Sequence, residues 1–263
     1  MNAVMVAWLK RRFLGQPLVV AEQRDDFEWN SYTAIYQAQI REFEKAHVLR
    51  LSPGDYGYAD GVLRKVRQDV LPLHYNHRLL YETILQLSPD SVVELGCGAG
   101  DHCHNLTVLR PDLQVFGFDR SEGQLALLRS RNPDLSASSF RLLDLTLPAS
   151  ESCAKHDIAF TQAVVMHIQA GRGHLVALSN VFRFAKRYVV LVENWKRHDF
   201  MADIRALHDL GIIGWPELNF YYRESPERSN RPHLMVISAT PIDGYAPLAD
   251  YSVLLENMAS DSE

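Results

Sequence analysis

From residue 91 onward the chain alternates between two hydrophobic patterns. Short β-favouring apolar runs at 91–96, 113–119, 139–143, 157–163 and 187–193 read as buried strands. Between and after them, 101–109, 122–131, 171–184 and 199–208 carry apolar residues at helical spacing. Ser121 is placed to cap the second of these helices, Asn132-Pro133-Asp134 to end it, and Gly211 to break the last. Strand–helix alternation predicts an α/β fold with a mostly parallel sheet. Two further runs, 218–223 and 234–239, flank a polar loop with no room for a helix. They predict an antiparallel closing pair, and so a seven-stranded sheet with an antiparallel last strand.

The first 88 residues follow another pattern. Residues 1–14 mix apolar positions with Lys10, Arg11 and Arg12. Their charges follow the apolar part, the reverse of a signal peptide. Such a basic amphipathic stretch suits packing on the body better than contact with an anionic membrane surface. Residues 17–30 read as a connector. A helix is predicted over 29–48, capped by Asn30 or Ser31, with Tyr32, Ile35, Tyr36, Ile40 and Phe43 at three- and four-residue spacing. Ser52-Pro53-Gly54-Asp55 breaks the chain. Tyr56, Tyr58, His74, Tyr75 and His77 then follow closely, a dense group of polar-tipped rings. Pro72 is placed to start a helix carrying Leu79, Leu80, Ile84, Leu85 and Leu87. The expected organisation is a helical N-terminal cap over 1–88, a core over 89–243 and a tail over 244–263 with a mobile acidic end.

Composition narrows the function classes. A hydrophobic share of 47% and a charged share of 22% are ordinary for a globular protein. A net charge of −5 argues against a broad nucleic-acid surface. The three cysteines, Cys97, Cys103 and Cys153, are few, odd in number and not in metal spacing, which points to a reducing, cytoplasmic setting. No run approaches the length of a membrane span. His102-Cys103-His104 looks like a metal cluster, but neighbours on a helix point in different directions.

The chemistry gathers at Val92-Val93-Glu94-Leu95-Gly96-Cys97-Gly98-Ala99-Gly100-Asp101. Strand, glycine loop and helix in that order hold a nucleotide-like ligand against a helix N-terminus. The dinucleotide pattern is G-x-G-x-x-G; here the third glycine comes one residue early, which disfavours a nicotinamide enzyme. Asp119 ends the next strand, where an acid can accept both ribose hydroxyls. With Glu94 two residues before the loop, this resembles motif I of class I S-adenosylmethionine (SAM) dependent methyltransferases. The resemblance implies a Rossmann-like core, SAM as cofactor and S-adenosylhomocysteine (SAH) as product, with a cap that closes over the cofactor. It places Gly96, Gly98 and Gly100 against the amino-acid part of SAM and Glu94 behind that loop. It places Asp119 on the ribose, Asp144 on the adenine amino group and Gln162 at the methionine end.

For catalysis, His167 stands just past a strand end, where ligands of open α/β sheets bind, and a near-neutral imidazole suits a general base. A structural role bonded to backbone is the competing reading. Glu193 and His198 are alternative bases. Glu193 and Asn194 resemble the acid–amide pair of metal-dependent O-methyltransferases, but Met166 and His167 stand where that family has another acid. The departure argues against metal dependence. Residues 157–168 and 188–195 resemble methyltransferases that accompany surface-polysaccharide and nonulosonic-sugar assembly in bacteria, over about 90–240. That resemblance implies a sugar or glycan acceptor, for which Tyr56, Tyr58, His77, Trp195, Tyr222 and Arg223 are candidate contacts. Tyr221, Arg228, Arg231 and His233 extend the same polar and aromatic group, and arginines there suit a phosphate. The alternatives are another small metabolite, such as a natural-product intermediate, or a non-catalytic SAM-binding regulator. Oligomeric state is not readable.

Overall fold

The computed structural model describes residues 29–150, 152–225 and 232–256. Ten strands and seven helices are built in this order: α1 (Trp29–Phe43), β1 (Tyr56–Ala59), β2 (Val62–Lys65), α2 (Tyr75–Leu87), β3 (Ser91–Leu95), α3 (Asp101–Leu109), β4 (Gln114–Asp119), α4 (Glu122–Arg131), β5 (Phe140–Leu142), β6 (His156–Gln162), α5 (Gly173–Phe184), β7 (Ala185–Val192), α6 (Phe200–Asp209), β8 (Asn219–Glu224), β9 (Pro232–Ser238), β10 (Ala246–Pro247) and α7 (Ser252–Glu256).

One eight-stranded sheet, in the order β10-β8-β9-β7-β6-β3-β4-β5, carries the fold. β5, β4, β3, β6 and β7 run parallel, and β9, β8 and β10 add antiparallel at one edge. The α/β class and the antiparallel closing pair follow the hydrophobic pattern. The eighth strand, Ala246–Pro247, is too short to leave an alternation in the sequence.

Both sheet faces are covered, which is why the parallel strands read as unbroken apolar runs. Val93, Leu95, Val189 and Leu191 pack into the cluster under α5 and α6, while Val92, Val190 and Val192 pack into the cluster under α2, α3 and α4. This is the period-two alternation of a strand, with both faces buried.

Two expectations for the N-terminal region need correcting. The N-terminal part is not helical throughout, because Tyr56–Ala59 and Val62–Lys65 pair as an antiparallel hairpin. Asp60 (φ 54) and Gly61 (φ 79) turn it, the paired left-handed turn that suits a hairpin. Pro72 does not start α2; His74 caps it, its Nδ1 accepting the Asn76 N–H at 3.3 Å. Within the tail, Leu248 and Leu254 are buried and α7 packs on β9. Residues 1–14, the polar loop with Arg228 and Arg231, and the acidic end at 260–263 lie outside the described residues. Among the described residues, no helix is long and apolar enough to cross a membrane.

Candidate active site

A cavity of about 1150 Å³ opens at the carboxyl ends of β3, β4, β5 and β6, with α1 as its roof. That edge, where the strand order turns, is where open α/β sheets bind ligands. The backbone N–H groups of Gly96 and Cys97 donate to Phe118 O at 2.7 and 2.9 Å, which ties the glycine loop to β4. Gly96 has φ +85°, and a Cβ there would stand 2.4 Å from Val164 Cγ2. Glycine is required on both counts. Gly98 also lines the cavity. Gly100 does not: it caps α3 in the left-handed region, and a Cβ would meet Leu128 at 2.7 Å. It lets α3 approach α4.

Asp119 accepts the Gly98 N–H at 2.9 Å and the Ser121 N–H at 2.8 Å, one on each oxygen. Each oxygen keeps a lone pair for a ligand hydroxyl. Burial raises its pKa, and the two backbone bonds oppose that rise. Glu94 is buried behind the loop and accepts the Cys103 thiol at 3.1 Å; burial pushes its pKa well up. Asp144 accepts both the backbone N–H (2.9 Å) and hydroxyl (2.7 Å) of Thr146 and faces Arg120 at 3.7 Å. Gln162 and Gln124 line the wall, each with a buried Oε1 that has no hydrogen-bond partner among the described residues. Buried orphan acceptors of this kind await a donor.

The segment after β6 is held from beneath. Ala163 adopts φ +52°, and Glu193, buried below it, gathers the turn. Its carboxylate accepts the Thr161 hydroxyl at 2.7 Å and the N–H groups of Val164 (3.2 Å), Val165 (3.3 Å) and Met166 (3.0 Å). Burial raises the Glu193 pKa, while these donors oppose the rise. Glu193 does not line the cavity, so the expectation that it is the base gives way to a positioning role. His167, the last residue of the turn, does line it. Burial first, then Arg197, lowers its pKa below 6.5. The ring is neutral at pH 7 and able to accept a proton.

The remaining candidates divide by element. His77 lines the cavity. His198 does not; its ring stacks on His174 between α5 and α6. Trp195 is 2% exposed, edge-on to Phe200 in the core. Tyr222 and Arg223 lie on β8, where the Arg223 guanidinium donates to Thr83 Oγ1 at 3.0 Å and covers the Tyr245 ring. Tyr56 and Tyr58 sit in the hairpin, and the Tyr56 hydroxyl accepts the Leu73 N–H at 2.9 Å. None of these five lines the cavity. His102, Cys103 and His104 point three ways, to Tyr81, Glu94 and Leu51 O.

The cap wall was largely missed from sequence. Tyr36, Phe43, His47 and His74 line it together with His77 and His102. The Tyr36 hydroxyl donates to Asp101 at 3.0 Å, which fastens α1 to the start of α3. The rings form a chain: His47–His74 at 5.2 Å, His74–His77 at 5.4 Å, His77–His102 at 4.7 Å. Burial lowers the His77 pKa well below 6.5 and takes His102 to about 4, so both are neutral. Among the described residues, Arg120 is the one Lys or Arg on the cavity wall, against the carboxyl groups of Glu42, Glu94, Asp101, Asp119 and Asp144. The amphipathic spacing of α1 reads as core because its apolar face meets the cavity.

No curated protein matches this chain. Among solved structures, the TehB-like SAM-dependent methyltransferase of Corynebacterium glutamicum superposes with a TM-score of 0.50 at 15% identity, over 83% of this chain and 99% of that one. DesVI of Streptomyces venezuelae gives 0.38 at 16% identity, over 45% of this chain and 50% of that chain. CalS10, a SAM-bound amino pentose methyltransferase of Micromonospora echinaspora involved in calicheamicin biosynthesis, gives 0.43 at 14% identity, over 66% and 59%. This chain thus spans about half to three-fifths of the length of the latter two. The first likeness shows the shared α/β fold. Residues 87–212, from the end of α2 through α6, match the family model of a methyltransferase domain.

Proposed function

We propose that the protein transfers a methyl group from SAM to a small acceptor. The observation that carries this reading is Asp119. Its carboxylate is fixed by the Gly98 and Ser121 N–H groups at the mouth of the glycine loop, with a free lone pair on each oxygen for the ribose. Three other features support it. Gly96 and Gly98 leave bare backbone where the amino-acid part would lie. Asp144, held by Thr146, is the residue we assign to the adenine amino group. With Glu42, Asp119 and Asp144 on it and Arg120 its one Lys or Arg among the described residues, the wall favours a cationic sulfonium.

Bound SAM supplies an electrophilic methyl group, and the leaving sulfur becomes a thioether. The chain's part is alignment and, for a hydroxyl acceptor, proton removal. His167 is the base in this reading, taking the hydroxyl proton as the oxygen–methyl bond forms. Glu193 fixes the turn that presents it. No metal is needed for this step, since the neutral imidazole already accepts the proton.

The acceptor reading shifts with the geometry. A sugar or glycan hydroxyl, or its phosphate, rests on Tyr56, Tyr58, His77, Trp195, Tyr222 and Arg223, of which His77 alone lines the cavity, and on loop arginines outside the described residues. The cap wall offers aromatic rings and neutral imidazoles instead. It favours a ring-bearing, uncharged metabolite of the natural-product kind. The protein is read as acting in the cytoplasm, with no nucleic-acid partner.

Calorimetry with SAH tests the cofactor, and transfer of labelled methyl from SAM into fractionated small metabolites tests the activity. Asp119→Asn is expected to weaken SAH binding by about tenfold or more, the loss of hydrogen bonds to a buried charged group. Binding without transfer to any fraction would favour a SAM-binding regulator, and label in glycan or sugar-nucleotide fractions would restore the sugar acceptor. Failure of SAH to bind would overturn the reading.

A further inference from the structure

A second ionisable cluster lies off the cavity. His174 is the second residue of α5, His198 sits on the loop that leaves β7, and Asp203 is on α6. His174 and Asp203 are buried, Asp203 completely, His198 is half-buried, and one ligand-capable atom from each lies within 4.8 Å of the other two. The backbone around His198 and at the start of α6 is pinned. The Tyr251 hydroxyl donates to the carbonyls of Trp195 (2.9 Å) and His198 (2.8 Å), and Asp199 caps α6 through the Ala202 N–H at 3.0 Å.

The spacing does not suit a hydrogen bond. His174 Nε2 stands 3.4 Å from Asp203 Oδ2, an ion-pair distance at which no hydrogen bond is made. Neither ring nitrogen of His174 has a hydrogen-bond partner among the described residues, although the side chain is more than nine-tenths buried. Burying an imidazole with both nitrogens unsatisfied is costly. The same separation does suit a shared ion: ligands at about 2.0–2.1 Å on a tetrahedral zinc stand roughly 3.3–3.4 Å apart.

We propose that His174, His198 and Asp203 bind a divalent transition metal of the zinc type, at a site separate from the methyl-transfer cavity. Two imidazoles and a carboxylate are the donor set such an ion prefers, and the fourth position is left to a non-protein ligand. In the structure the two rings are parallel, 6° apart with centroids at 4.2 Å, so their lone pairs do not yet converge. Binding opens this stack until the His198 nitrogen reaches the distance His174 already holds. The ion joins α5, the β7–α6 loop and α6. Because Gly173 abuts Ile168, a cavity-lining residue, that joint steadies the cavity floor.

The test uses the full chain stripped of metal by a chelator. Zinc titrated in by calorimetry is expected to bind one ion per chain, and zinc at about a hundred times its dissociation constant to raise the melting temperature. Cobalt in its place is expected to give the intense visible absorption of a four-coordinate site. Asp203→Asn and His174→Gln, each checked for folding by circular dichroism, should lose at least about tenfold in zinc affinity; His198→Gln provides a third variant where either misfolds. Cys153→Ser should change nothing. Absence of stoichiometric zinc binding overturns the site. So does binding that survives Asp203→Asn and His174→Gln, or that disappears with Cys153→Ser.

Discussion

The two walls of the cavity are built differently. The sheet wall consists of backbone and short side chains at strand ends: Gly96, Gly98, Asp119, Gln162 and the turn ending at His167. Hydrogen bonds donated by its backbone to β4 and to Glu193 fix it in place. The cap wall consists of long side chains from α1, α2 and the segment between them, held by ring contacts and by Tyr36–Asp101. The sheet wall suits a ligand of fixed shape. The cap wall, made of adaptable rings, suits selection among acceptors. Substitutions on the first should therefore damage cofactor binding or chemistry, and substitutions on the second should alter acceptor preference with the cofactor site intact.

The largest effect is expected at His167. His167→Ala should lower the transfer rate by about 10²–10⁴, the usual contribution of a general base, while SAH affinity measured by calorimetry stays near that of the parent. The pH profile should agree: the base works deprotonated, so transfer falls as pH drops through a pKa below 6.5 and is flat above it. An unchanged rate would move the base elsewhere on the same wall. Gly96→Ala comes next. Its Cβ meets Val164 and its φ is left-handed, a backbone cost of roughly 1–2 kcal/mol before the clash is counted. SAH affinity should drop by more than about tenfold. Adding Val164→Ala should recover part of it, since the clash is removed and the backbone strain is not.

These two walls were not equally legible in the sequence. The sheet wall is local: a strand, a glycine loop and an acid ending the next strand place Gly96, Gly98 and Asp119 by chain order alone. Glu193 was misjudged because the end of β7 does reach the right edge of the sheet. No periodicity shows that its carboxylate turns inward to collect the N–H groups of 164–166. Trp195 and His198 failed similarly, as the loop after β7 folds back onto α5 and α6 rather than over the cavity. The cap wall joins residues far apart in the chain, Phe43 with His77 and Tyr36 with Asp101, and long-range pairing leaves no local pattern. The hairpin at 56–65 was hidden because its alternation is brief and its tyrosines looked like site residues.

Glu193→Gln gives a smaller, structural effect. The amide's NH₂ would confront the donors that the carboxylate now accepts, costing about 1–3 kcal/mol of stability, read by urea unfolding. The pH profile should be displaced little, which separates a positioning group from a base. On the cap side, His77 and His102 have depressed pKa values in the folded chain. A depressed histidine stabilises the fold fully above its unfolded pKa of about 6.5 and loses that contribution as pH falls. Melting temperature should therefore decline from about pH 6.5 towards the value near 4 reached by His102. His102→Gln should flatten that decline.

Tyr36→Phe should have the smallest effect and makes the finest test. The substitution removes one hydroxyl and leaves the ring that lines the cavity. Asp101 keeps Arg131 at 2.7 Å, so no unpaired charge is created. The loss is that of a single hydrogen bond, about 0.5–1.5 kcal/mol, at the joint between α1 and α3. If the cap selects acceptors, loosening that joint raises the acceptor KM while kcat and SAH affinity stay within about twofold, since both depend on the sheet wall. A matching loss of SAH affinity would mean that α1 also holds the cofactor, and the division of labour between the walls would have to be redrawn with Tyr36 and Asp101 on the cofactor side.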